Sequence, residues 1–479
     1  MHPDPEQPRI DWRFLLADPE PARITVLGGS DAWRRSMASA LEEHGYPRPT
    51  MADSTPSPLD ADLVVARRGD GLDVPGLTSS LPETTSLVLE VATAHGAWPR
   101  IDRPHTRLFA WPSLARPTEL IPARRPDARE FAARRRRARG GWSAAVRMTA
   151  LRIPWPHAAG RIAIVTRNGA ASGLRRLAGE DTAELKADVP WSLITPSFRS
   201  SRHVVLLLGE HRVLKVERRP GTGSIDREAS VLRAVALRPG ARVPEVIAVE
   251  RYGRHRVLVE SRVPGVDLTP ARVRGSAAGY AAQFATWLRG LVRPASDLSG
   301  KRVADLLHGQ GHHAVDLIGA SPGADLMARA LAAVRELEDA RLPDAIEHGD
   351  LGDPNLLVDR DGTIGVIDWE LGRTDGLPLL DLVFLIAFLA AAEAGANAPS
   401  EHASAWERCV VDPSGWGHRL LRVEAARLGI DERTVVNLSI LCWVQQVQRM
   451  AERVGPDASK FLNEHRYVEI LRRTLEAAE

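Results

Sequence analysis

Cysteine is nearly absent from this chain of 479 residues, since only Cys409 and Cys442 occur and their spacing suggests no pair. This scarcity excludes a disulfide scaffold, a zinc ribbon and an iron–sulfur site. Long apolar runs are also missing, because the run Leu382–Ala392 has about half the length that a membrane span needs. No charged segment followed by an apolar one stands at Met1, so we expect a cytoplasmic protein without a transmembrane segment. The remaining composition, 44% hydrophobic and 26% charged, is that of a globular protein of roughly two to four domains.

Lysine is the second rarity. Of 63 basic residues only four are lysine, namely Lys186, Lys215, Lys301 and Lys460. Where arginine is the default cation, a lysine becomes a candidate for chemistry that a guanidinium group cannot perform.

The net charge of +2 hides an arginine-rich segment. Residues 101–180 contain 17 arginines and five acidic residues, a local charge of +12 against −10 for the rest. Its predicted helix, Asp127–Arg139, includes Arg134–Arg137 and Arg139. We expect a solvated helix face or a seam against the acidic remainder. The alternative is an anionic partner: a membrane surface, a phosphorylated glycan or lipid, or, least favoured because only Phe131 and Trp142 could stack on bases, a nucleic acid.

Strands and helices alternate over the first 115 residues, which predicts a Rossmann-like α/β domain. The helix is Ala32–His44, and the strands are Arg23–Leu27, Leu63–Ala66 and Ser86–Val91. The first strand ends in Gly28-Gly29-Ser30, and this segment weakly resembles a degenerate class I methyltransferase fold. Its loop lacks the full G-x-G-x-G pattern, and no clear ribose-binding acid follows. A cofactor site and a purely structural or docking domain both remain open.

The predicted secondary structure changes near Pro190. Four short apolar runs predict strands: Val204–Leu208, His211–Val216, Val246–Glu250 and Arg256–Glu260. After Pro264-Gly265 the pattern is mostly helical. We therefore expect the Rossmann-like domain at 1–115, an arginine-rich bridge at 116–185, a sheet lobe at 186–263 and a helical lobe at 264–479.

The most informative stretch lies between Ile346 and Leu389. It contains His348-Gly349-Asp350, Asn355 five residues after the aspartate, and Asp368-Trp369-Glu370 after two predicted strands, Leu356–Val358 and Thr363–Ile367. This spacing suits phosphoryl transfer, in which one carboxylate takes the proton of the attacking hydroxyl while an amide oxygen and a second carboxylate hold Mg²⁺.

These motifs, H-G-D-x-x-x-x-N and I-D-x-E, resemble those of the aminoglycoside phosphotransferase and choline kinase-like family. The resemblance implies a bilobal α+β protein-kinase-like domain over about residues 190–460, which uses ATP and Mg²⁺. It assigns Asp350 as the catalytic base, places His348 beside it among the catalytic residues, and gives Asn355 and Asp368 as the Mg²⁺ ligands. Asp381 matches a family aspartate that opens a buried helix, where a carboxylate can cap free N–H groups.

The sheet lobe should then supply a lysine for the phosphates and an acid that holds it. Lys215 lies in a predicted strand, and Glu228 lies on the apolar face of the predicted helix Asp226–Leu237. An acid on such a face needs a partner, and Lys215 is the natural one.

Two further nucleotide contacts are predicted less directly. In place of the glycine-rich loop of protein kinases the chain has a serine-containing loop, in which Ser197, Ser200 and Ser201 could cradle phosphates with help from Arg199. The segment Glu260–Val263, which includes Arg262, should be the hinge whose backbone meets the adenine.

Two functions follow as hypotheses. The first is a kinase that phosphorylates a hydroxyl group of a small molecule: an aminoglycoside, another sugar, an amino alcohol or a biosynthetic intermediate. The acids of the helical lobe, Glu393, Glu401, Glu407 and Glu424, are mixed with arginines and do not indicate a polycationic substrate. The second is a non-catalytic kinase-like module that docks on an anionic partner, which the complete catalytic set argues against. A metal site at His308, His312 and His313 is disfavoured because no acid or cysteine completes it.

Overall fold

The computed structural model describes residues 10–16, 18–56, 59–68, 72–82, 84–91, 106–111, 119–122, 160–165, 190–195, 201–295, 303–304, 322–454 and 465–479. Several predicted features lie outside these ranges: the helix Asp127–Arg139 with Arg134–Arg137 and Arg139, the loop residues Ser197, Arg199 and Ser200, and the histidines His308, His312 and His313. The chain divides into two compact units. Unit 1 is Met1–Asp226 with Val246–Arg262, and unit 2 is Arg227–Glu245 with Val263–Glu479.

Unit 1 is built on a single sheet, which has 12 strands among the described residues. The strands are β1 (Ile24–Gly28), β2 (Thr50–Ala52), β3 (Leu63–Arg67), β4 (Ser86–Val91), β5 (Thr106–Trp111), β6 (Glu119–Pro122), β7 (Gly160–Val165), β8 (Trp191–Ile194), β9 (His203–Leu208), β10 (Arg212–Glu217), β11 (Val246–Tyr252) and β12 (His255–Ser261). They lie side by side in the order β11-β12-β10-β9-β8-β6-β5-β7-β4-β3-β1-β2. A 3₁₀ turn (Asp11–Leu15) and the helices α1 (Asp31–Glu43) and α2 (Val74–Ser80) accompany it.

The N-terminal part of the sheet is parallel. β1 pairs with β2 and β3, and β3 pairs with β4, all in parallel register. Buried β-branched and leucine side chains predominate in β1, β3 and β4, as expected for strands covered on both faces, whereas Thr50 and Met51 of the edge strand β2 are exposed. The strand–helix alternation predicted this arrangement, whereas the assignment to the Rossmann class stays a prediction.

The Gly28-Gly29 loop has a packing explanation. Both glycines have positive φ, +68° and +64°. A Cβ on Gly28 would lie 2.6 Å from the Arg67 carbonyl oxygen, and one on Gly29 would lie 2.8 Å from the Trp33 ring. Ser30 then caps α1, because its hydroxyl accepts a hydrogen bond from the Trp33 N–H at 3.2 Å. The turn therefore requires both glycines irrespective of any cofactor.

Antiparallel strands continue the sheet from residue 106 onward. β7 pairs with β4 and β5, β6 pairs with β5 and β8, and β8 pairs with β9. Two of these strands, β6 and β7, belong to the segment 116–185 that we expected to be a bridge. The predicted boundaries at 115 and 185 stay predictions, and the sheet crosses both of them.

A buried ionic cluster ties the N-terminal 3₁₀ turn to the end of β10. Asp11 accepts hydrogen bonds from Arg13 and from Arg218 Nε, each at 3.1 Å, and Arg13 donates to the Arg218 carbonyl at 3.0 Å. Arg218 in turn donates to the Ser201 carbonyl at 3.1 Å. Buried charges require such partners, and this set brings residues more than 200 positions apart into contact.

Unit 2 is mainly helical. Its helices are α3 (Ser224–Ala236, which begins in unit 1), α4 (Pro270–Val273), α5 (Ala277–Arg289), α6 (Pro322–Ala333), α7 (Leu380–Ala394), α8 (Pro399–Trp406), α9 (Trp416–Leu428), α10 (Glu432–Val454) and α11 (Arg466–Glu476). A 3₁₀ turn (Val334–Glu338) follows α6, and a π-helical turn (Glu407–Val411) follows α8. Its strands are β13 (Val266–Asp267), β14 (Val292–Ala295), β15 (Pro343–Glu347), β16 (Leu356–Val358), β17 (Ile364–Val366) and β18 (Arg373–Gly376). They form two three-stranded sheets, β13-β16-β17 and β14-β15-β18.

Helix α7 lies at the centre of unit 2. Nearly all of its side chains are buried, and it packs against α5, α8 and α10. No single helix in the described ranges is long and apolar enough to cross a membrane. Helix α7 and the segment Pro399–Val411 reach that length and composition only together, and they are bent by 112° at the break between them.

Candidate active site

The loop between β15 and β16 carries the His348-Gly349-Asp350 motif, and His348 is the residue that organises it. The imidazole is fully buried and donates from Nε2 to the Ile367 carbonyl at 2.9 Å. Its Nδ1 accepts the Asp350 backbone N–H at 3.1 Å. Trp369 packs edge-on against the ring, at 4.7 Å between centroids. Both ring nitrogens are thus used inside the site, which fits a neutral imidazole that positions Asp350.

Asp381 completes the loop from the first turn of α7. Its carboxylate accepts the backbone N–H groups of His348 at 2.6 Å and Gly349 at 2.8 Å. The N–H groups that it satisfies therefore belong to the loop between β15 and β16, whereas the N-cap position of α7 is Leu379, without a side-chain cap. Burial raises the pKa of Asp381 well above its ordinary value, and the nearby charge of Glu347 raises it further.

Asn355 and Asp368 come together because of the β16–β17 hairpin. Leu356 pairs with Val366, and the Ile367 N–H donates to the Asn355 carbonyl at 3.0 Å, so Asp368 follows directly beside Asn355. The Asn355 amide nitrogen donates to Asp350, at 3.0 Å to the carbonyl and 3.3 Å to Oδ2. This leaves the amide oxygen as the Asn355 atom suited to a cation.

The backbone of Asp368 has a conformation that is rare outside glycine. Its φ is +66°, in the left-handed region, where strain concentrates at functional sites. The next residue, Trp369, donates its N–H to the Glu228 carboxylate at 3.1 Å. Glu228, which is fully buried on α3, therefore anchors the chain immediately after Asp368.

Several charges converge on Asp350. Burial raises the pKa of Asp350 above its ordinary value, and the carboxylates of Asp368 and Glu370 raise it further, while Arg453 and Arg449 act in the opposite direction. The clustering of carboxylates with an amide oxygen is the donor set that Mg²⁺ prefers. Within the described ranges, no group of three or more histidine, cysteine, aspartate or glutamate side chains could hold a metal alone. Asn355 and Asp368 accordingly fit an ion that takes its other ligands from phosphate and water.

Helix α10 supplies two residues that sequence reasoning missed. Gln446 donates to the Gly349 carbonyl at 3.0 Å, and Arg449 donates to the same oxygen. Arg449 also lies 3.6 Å from the buried carboxylate of Glu347. The signal in the sequence was weak: a glutamine and an arginine three positions apart on a helix that carries other polar residues as well.

In unit 1, Lys215 lies on β10 and is 4% exposed. Its Nζ is 3.9 Å from Oε1 of Glu260, which lies on the neighbouring strand β12. Glu260 was predicted only as a backbone contact for adenine, so its buried side chain beside Lys215 is an addition. The predicted pair of Lys215 with Glu228 would join the two units and stays a prediction.

Of the remaining residues predicted to contact the nucleotide, the structure describes Arg262 and Ser201. Arg262 donates from its backbone N–H to the His211 carbonyl at 2.8 Å, and its guanidinium donates to Glu210 at 2.7 Å. Ser201 accepts the Arg218 guanidinium at its carbonyl oxygen. The hinge role of Glu260 and Arg262 and the phosphate role of Ser201 stay predictions.

Comparison with known proteins gives one family match. The sequence profile of the phosphotransferase enzyme family matches residues 196–418. No curated protein matches the chain. Nothing in these comparisons supports an anionic partner for the arginine-rich segment.

The matching solved structures include kinases and aminoglycoside phosphotransferases. A choline/ethanolamine kinase family protein from Mesorhizobium loti is 18% identical, with 64% of this chain and 98% of that chain covered and a TM-score of 0.36. Aminoglycoside phosphotransferase APH(3'')-Id from Streptomyces rimosus, in complex with ADP and streptomycin, is 21% identical, with 50% and 90% covered and a TM-score of 0.32. Choline kinase LicA from Streptococcus pneumoniae is 14% identical, with 64% and 99% covered and a TM-score of 0.38.

The resemblance predicted from the His348–Asn355 and Asp368–Glu370 motifs is confirmed over the segment that contains them, since residues 196–418 match the model of the phosphotransferase enzyme family.

Proposed function

We propose that the protein transfers the γ-phosphoryl group of ATP to a hydroxyl group of a small molecule, with Asp350 as the catalytic base. The observation that carries this proposal is the arrangement of Asp350, Asn355 and Asp368 within a segment of phosphotransferase sequence. Asp350 is held at both its backbone and its carboxylate by Asn355, and the β16–β17 hairpin sets Asp368 next to that amide.

Asp350 has the properties of a general base for an alcohol. Its raised pKa brings the carboxylate nearer to the pH at which the enzyme works, which favours proton acceptance in the transition state. His348 and Asp381 hold the loop backbone on either side, so the carboxylate is oriented before the acceptor binds. The acceptor hydroxyl would donate its hydrogen bond to Asp350 and lose its proton there.

Asn355 and Asp368 would hold Mg²⁺. When bound, the ion would neutralise the charge of the phosphate oxygens. The strained backbone of Asp368 and its anchor at Glu228 would fix the carboxylate direction. In unit 1, Lys215 would bind phosphate oxygens through its compact ammonium group, with Glu260 holding the lysine in place.

Substitution of Asp350 tests the proposal. Asp350→Asn should lower kcat by about 10²–10⁴-fold, the range for loss of a general base, while KM for Mg·ATP changes little. Asp368→Ala should raise KM for Mg·ATP as well. Asp361→Asn, in the exposed turn after β16, is the matched control and should behave like the wild type.

The measurement is ADP release across a panel of hydroxyl compounds at fixed Mg·ATP. A near-normal kcat in Asp350→Asn would show that the base is wrongly assigned. If the wild type released no ADP with any acceptor of the panel, the result would instead favour the non-catalytic binding module.

A further inference from the structure

A cavity of about 220 Å³ lies in unit 2 among α5, β15, the first turn of α7 and α9. Asp350, Asn355 and Asp368 are not among the described residues that line it, which sets the cavity apart from the proposed site of phosphoryl transfer. Most of its wall is apolar, and the large aliphatic side chains in it are Leu288, Leu291, Ile346, Leu377, Leu382 and Leu428.

The described part of the wall also has four charged side chains, and three of them are already engaged. Glu424 receives two hydrogen bonds from Arg289, at 2.6 and 2.8 Å, one on each carboxylate oxygen. The two oxygens of Asp381 accept the backbone N–H groups of His348 and Gly349. These contacts leave neither carboxylate oxygens nor the Arg289 charge uncompensated.

Arg427 is the fourth charged group of the wall, and no carboxylate among the described residues pairs with it. It lies on α9 three residues after Glu424, so the two side chains share a face of that helix. Because Arg289 already occupies Glu424, that carboxylate does not neutralise Arg427. An apolar cavity beside an uncompensated guanidinium group complements a compound that has an apolar body and an anionic group.

The volume and the charges of the cavity limit what this compound can be. A cavity of about 150 Å³ holds one benzene molecule, so the larger cavity here suits a ring with a short chain. One carboxylate balances the single positive charge of Arg427. A phosphate monoester carries up to about two negative charges, which exceed that of one arginine and are repelled by the Glu424 carboxylate on the same helix face.

The cavity shares residues with the support of the loop between β15 and β16. Asp381 lines the cavity and holds the backbone of that loop. Ile346 lies on β15, two residues before the motif, and its N–H donates to the carbonyl of Leu291 at 3.0 Å. Leu379, also in the wall, has a φ of +67°, a left-handed conformation that is rare for leucine. A compound packed against these residues therefore also restrains the loop.

We propose that this cavity binds a small apolar monocarboxylate, that Arg427 binds its carboxylate group, and that the bound compound stabilises the loop between β15 and β16. This binding site goes beyond the proposed phosphoryl transfer. Since binding does not involve Asp350, it can be measured without turnover, and its absence would leave the proposed kinase intact.

Isothermal titration calorimetry with compounds matched in size but not in charge tests the proposal. The compounds are phenylpropanoate, its neutral counterpart phenylpropanamide and the cation phenylpropylamine. A hydrogen bond to a charged group should make the Kd of the carboxylate about 10–100-fold lower than that of the amide, and the amine should bind more weakly still. Acetate, which lacks the apolar body, should not bind detectably. Equal Kd values for carboxylate and amide, tighter binding of the amine, or no binding of the carboxylate would overturn the proposal.

Variants of Arg427 test its assignment. Arg427→Gln should raise the Kd of phenylpropanoate about tenfold or more and leave that of phenylpropanamide unchanged, and Arg427→Lys should recover part of the loss. Arg422→Gln, on the same helix but outside the described cavity wall, is the matched control and should bind like the wild type. If Arg427 only stabilised the C-terminal turn of α9, Arg427→Gln would lower the urea midpoint without changing the ratio of the two Kd values. That result would overturn the assignment.

Two further variants locate the bound compound. Asp350→Asn should bind phenylpropanoate with the wild-type Kd, whereas weaker binding would place the compound at the proposed acceptor site instead. Leu288→Trp, which puts a larger side chain in the cavity wall, should abolish binding, with circular dichroism as the check that the variant is folded. Unchanged binding in folded Leu288→Trp would overturn the location.

Hydrogen exchange tests the effect on the loop. Saturating phenylpropanoate should slow exchange of the backbone N–H groups of His348 and Gly349, because both donate to the Asp381 carboxylate in the cavity wall. Phenylpropanamide at the same concentration should slow it less. Unchanged exchange at both residues with the cavity saturated would overturn the stabilisation of the loop.

Discussion

Asp381 accepts a hydrogen bond of 2.6 Å from the backbone N–H of His348, 33 residues earlier in the chain. Its second oxygen takes the N–H of the next residue, Gly349, at 2.8 Å. Two backbone donors of the loop between β15 and β16 are thus satisfied by one buried carboxylate from a helix. The position of Asp350 consequently depends on a residue that touches neither substrate nor nucleotide in the proposed reaction.

Asp381→Asn should expose this dependence. An amide offers one acceptor oxygen instead of two, so one buried N–H of the loop loses its partner, at a cost of about 1–3 kcal/mol. We expect the free energy of unfolding to fall by that amount in urea titrations, and kcat to fall by more than about tenfold because Asp350 is displaced. Asp361→Asn serves again as the control. An unchanged kcat would mean that the loop keeps its shape without Asp381.

Arginine should not be able to replace Lys215. Lys215 is 4% exposed and its ammonium group lies 3.9 Å from Glu260, so a planar guanidinium group has neither the room nor the geometry. Lys215→Arg should lose kcat/KM for Mg·ATP almost as completely as Lys215→Ala, by about 10²-fold or more. Arg251→Lys, at an exposed site on β11 of the same sheet, should have no effect. Normal kinetics in Lys215→Arg would remove this lysine from the phosphate site.

Asp11 should be important for stability despite its distance in sequence from the motifs. Although burial acts in the opposite sense, Arg218 and Arg13 lower the pKa of Asp11, so it is ionised. Asp11→Ala leaves two buried guanidinium groups without their carboxylate, which costs about 3–5 kcal/mol. Since Arg218 also holds the Ser201 carbonyl, KM for Mg·ATP should rise as well. Asp18→Ala, at an exposed site, should shift the urea midpoint far less.

Two histidines of unit 1 should contribute less to its stability as the solution becomes acidic. Burial, with a further contribution from Arg13, lowers the pKa of His44 and of His255 to about 4. An unfolded chain binds these protons near pH 6.5, whereas the folded chain binds them near pH 4. The contribution of these two histidines to the free energy of unfolding should therefore be at its full value above about pH 6.5 and fall as the pH drops from there towards about 4.

Urea titrations between pH 7 and pH 4.5 check this, with His255→Gln as the comparison. The glutamine amide can keep the hydrogen bond of 2.8 Å that His255 donates to the Glu217 carbonyl, but it cannot be protonated. The variant should show a shallower loss of stability on acidification. NMR titration of either folded-state imidazole near pH 6.5 would contradict the expectation.

Local elements were predictable because their signals are local. The apolar alternation of His211–Val216 gave β10 to within one residue, and the amphipathic pattern of Asp226–Leu237 gave α3 to within two. The motif residues His348, Asp350 and Asn355 were identifiable because a short loop fixes their spacing. No comparable signal marked Asp368 as a residue with positive φ, since aspartate adopts that conformation only where its surroundings impose it.

The unpredicted contacts join distant positions. Gln446 and Arg449 meet Gly349 across 97 and 100 residues, and Arg13 meets the Arg218 carbonyl across 205. Periodicity and spacing describe a single element, so they carry no information about which helix turns towards which loop. Strand partners such as β6 and β8 escaped prediction for the same reason.

The pairing of β6 with β8 has a consequence for any shortened form of this protein. A chain cut near residue 186, where the sequence places the beginning of its sheet lobe, would lose β6 and leave Leu193 and Ile194 on an open strand edge. Open edges recruit strands from other molecules, so such a fragment should self-associate. It would also lack Asp11 and Arg13, the partners of Arg218. In the full chain, β6 covers the edge of β8 and thereby protects it from intermolecular strand pairing.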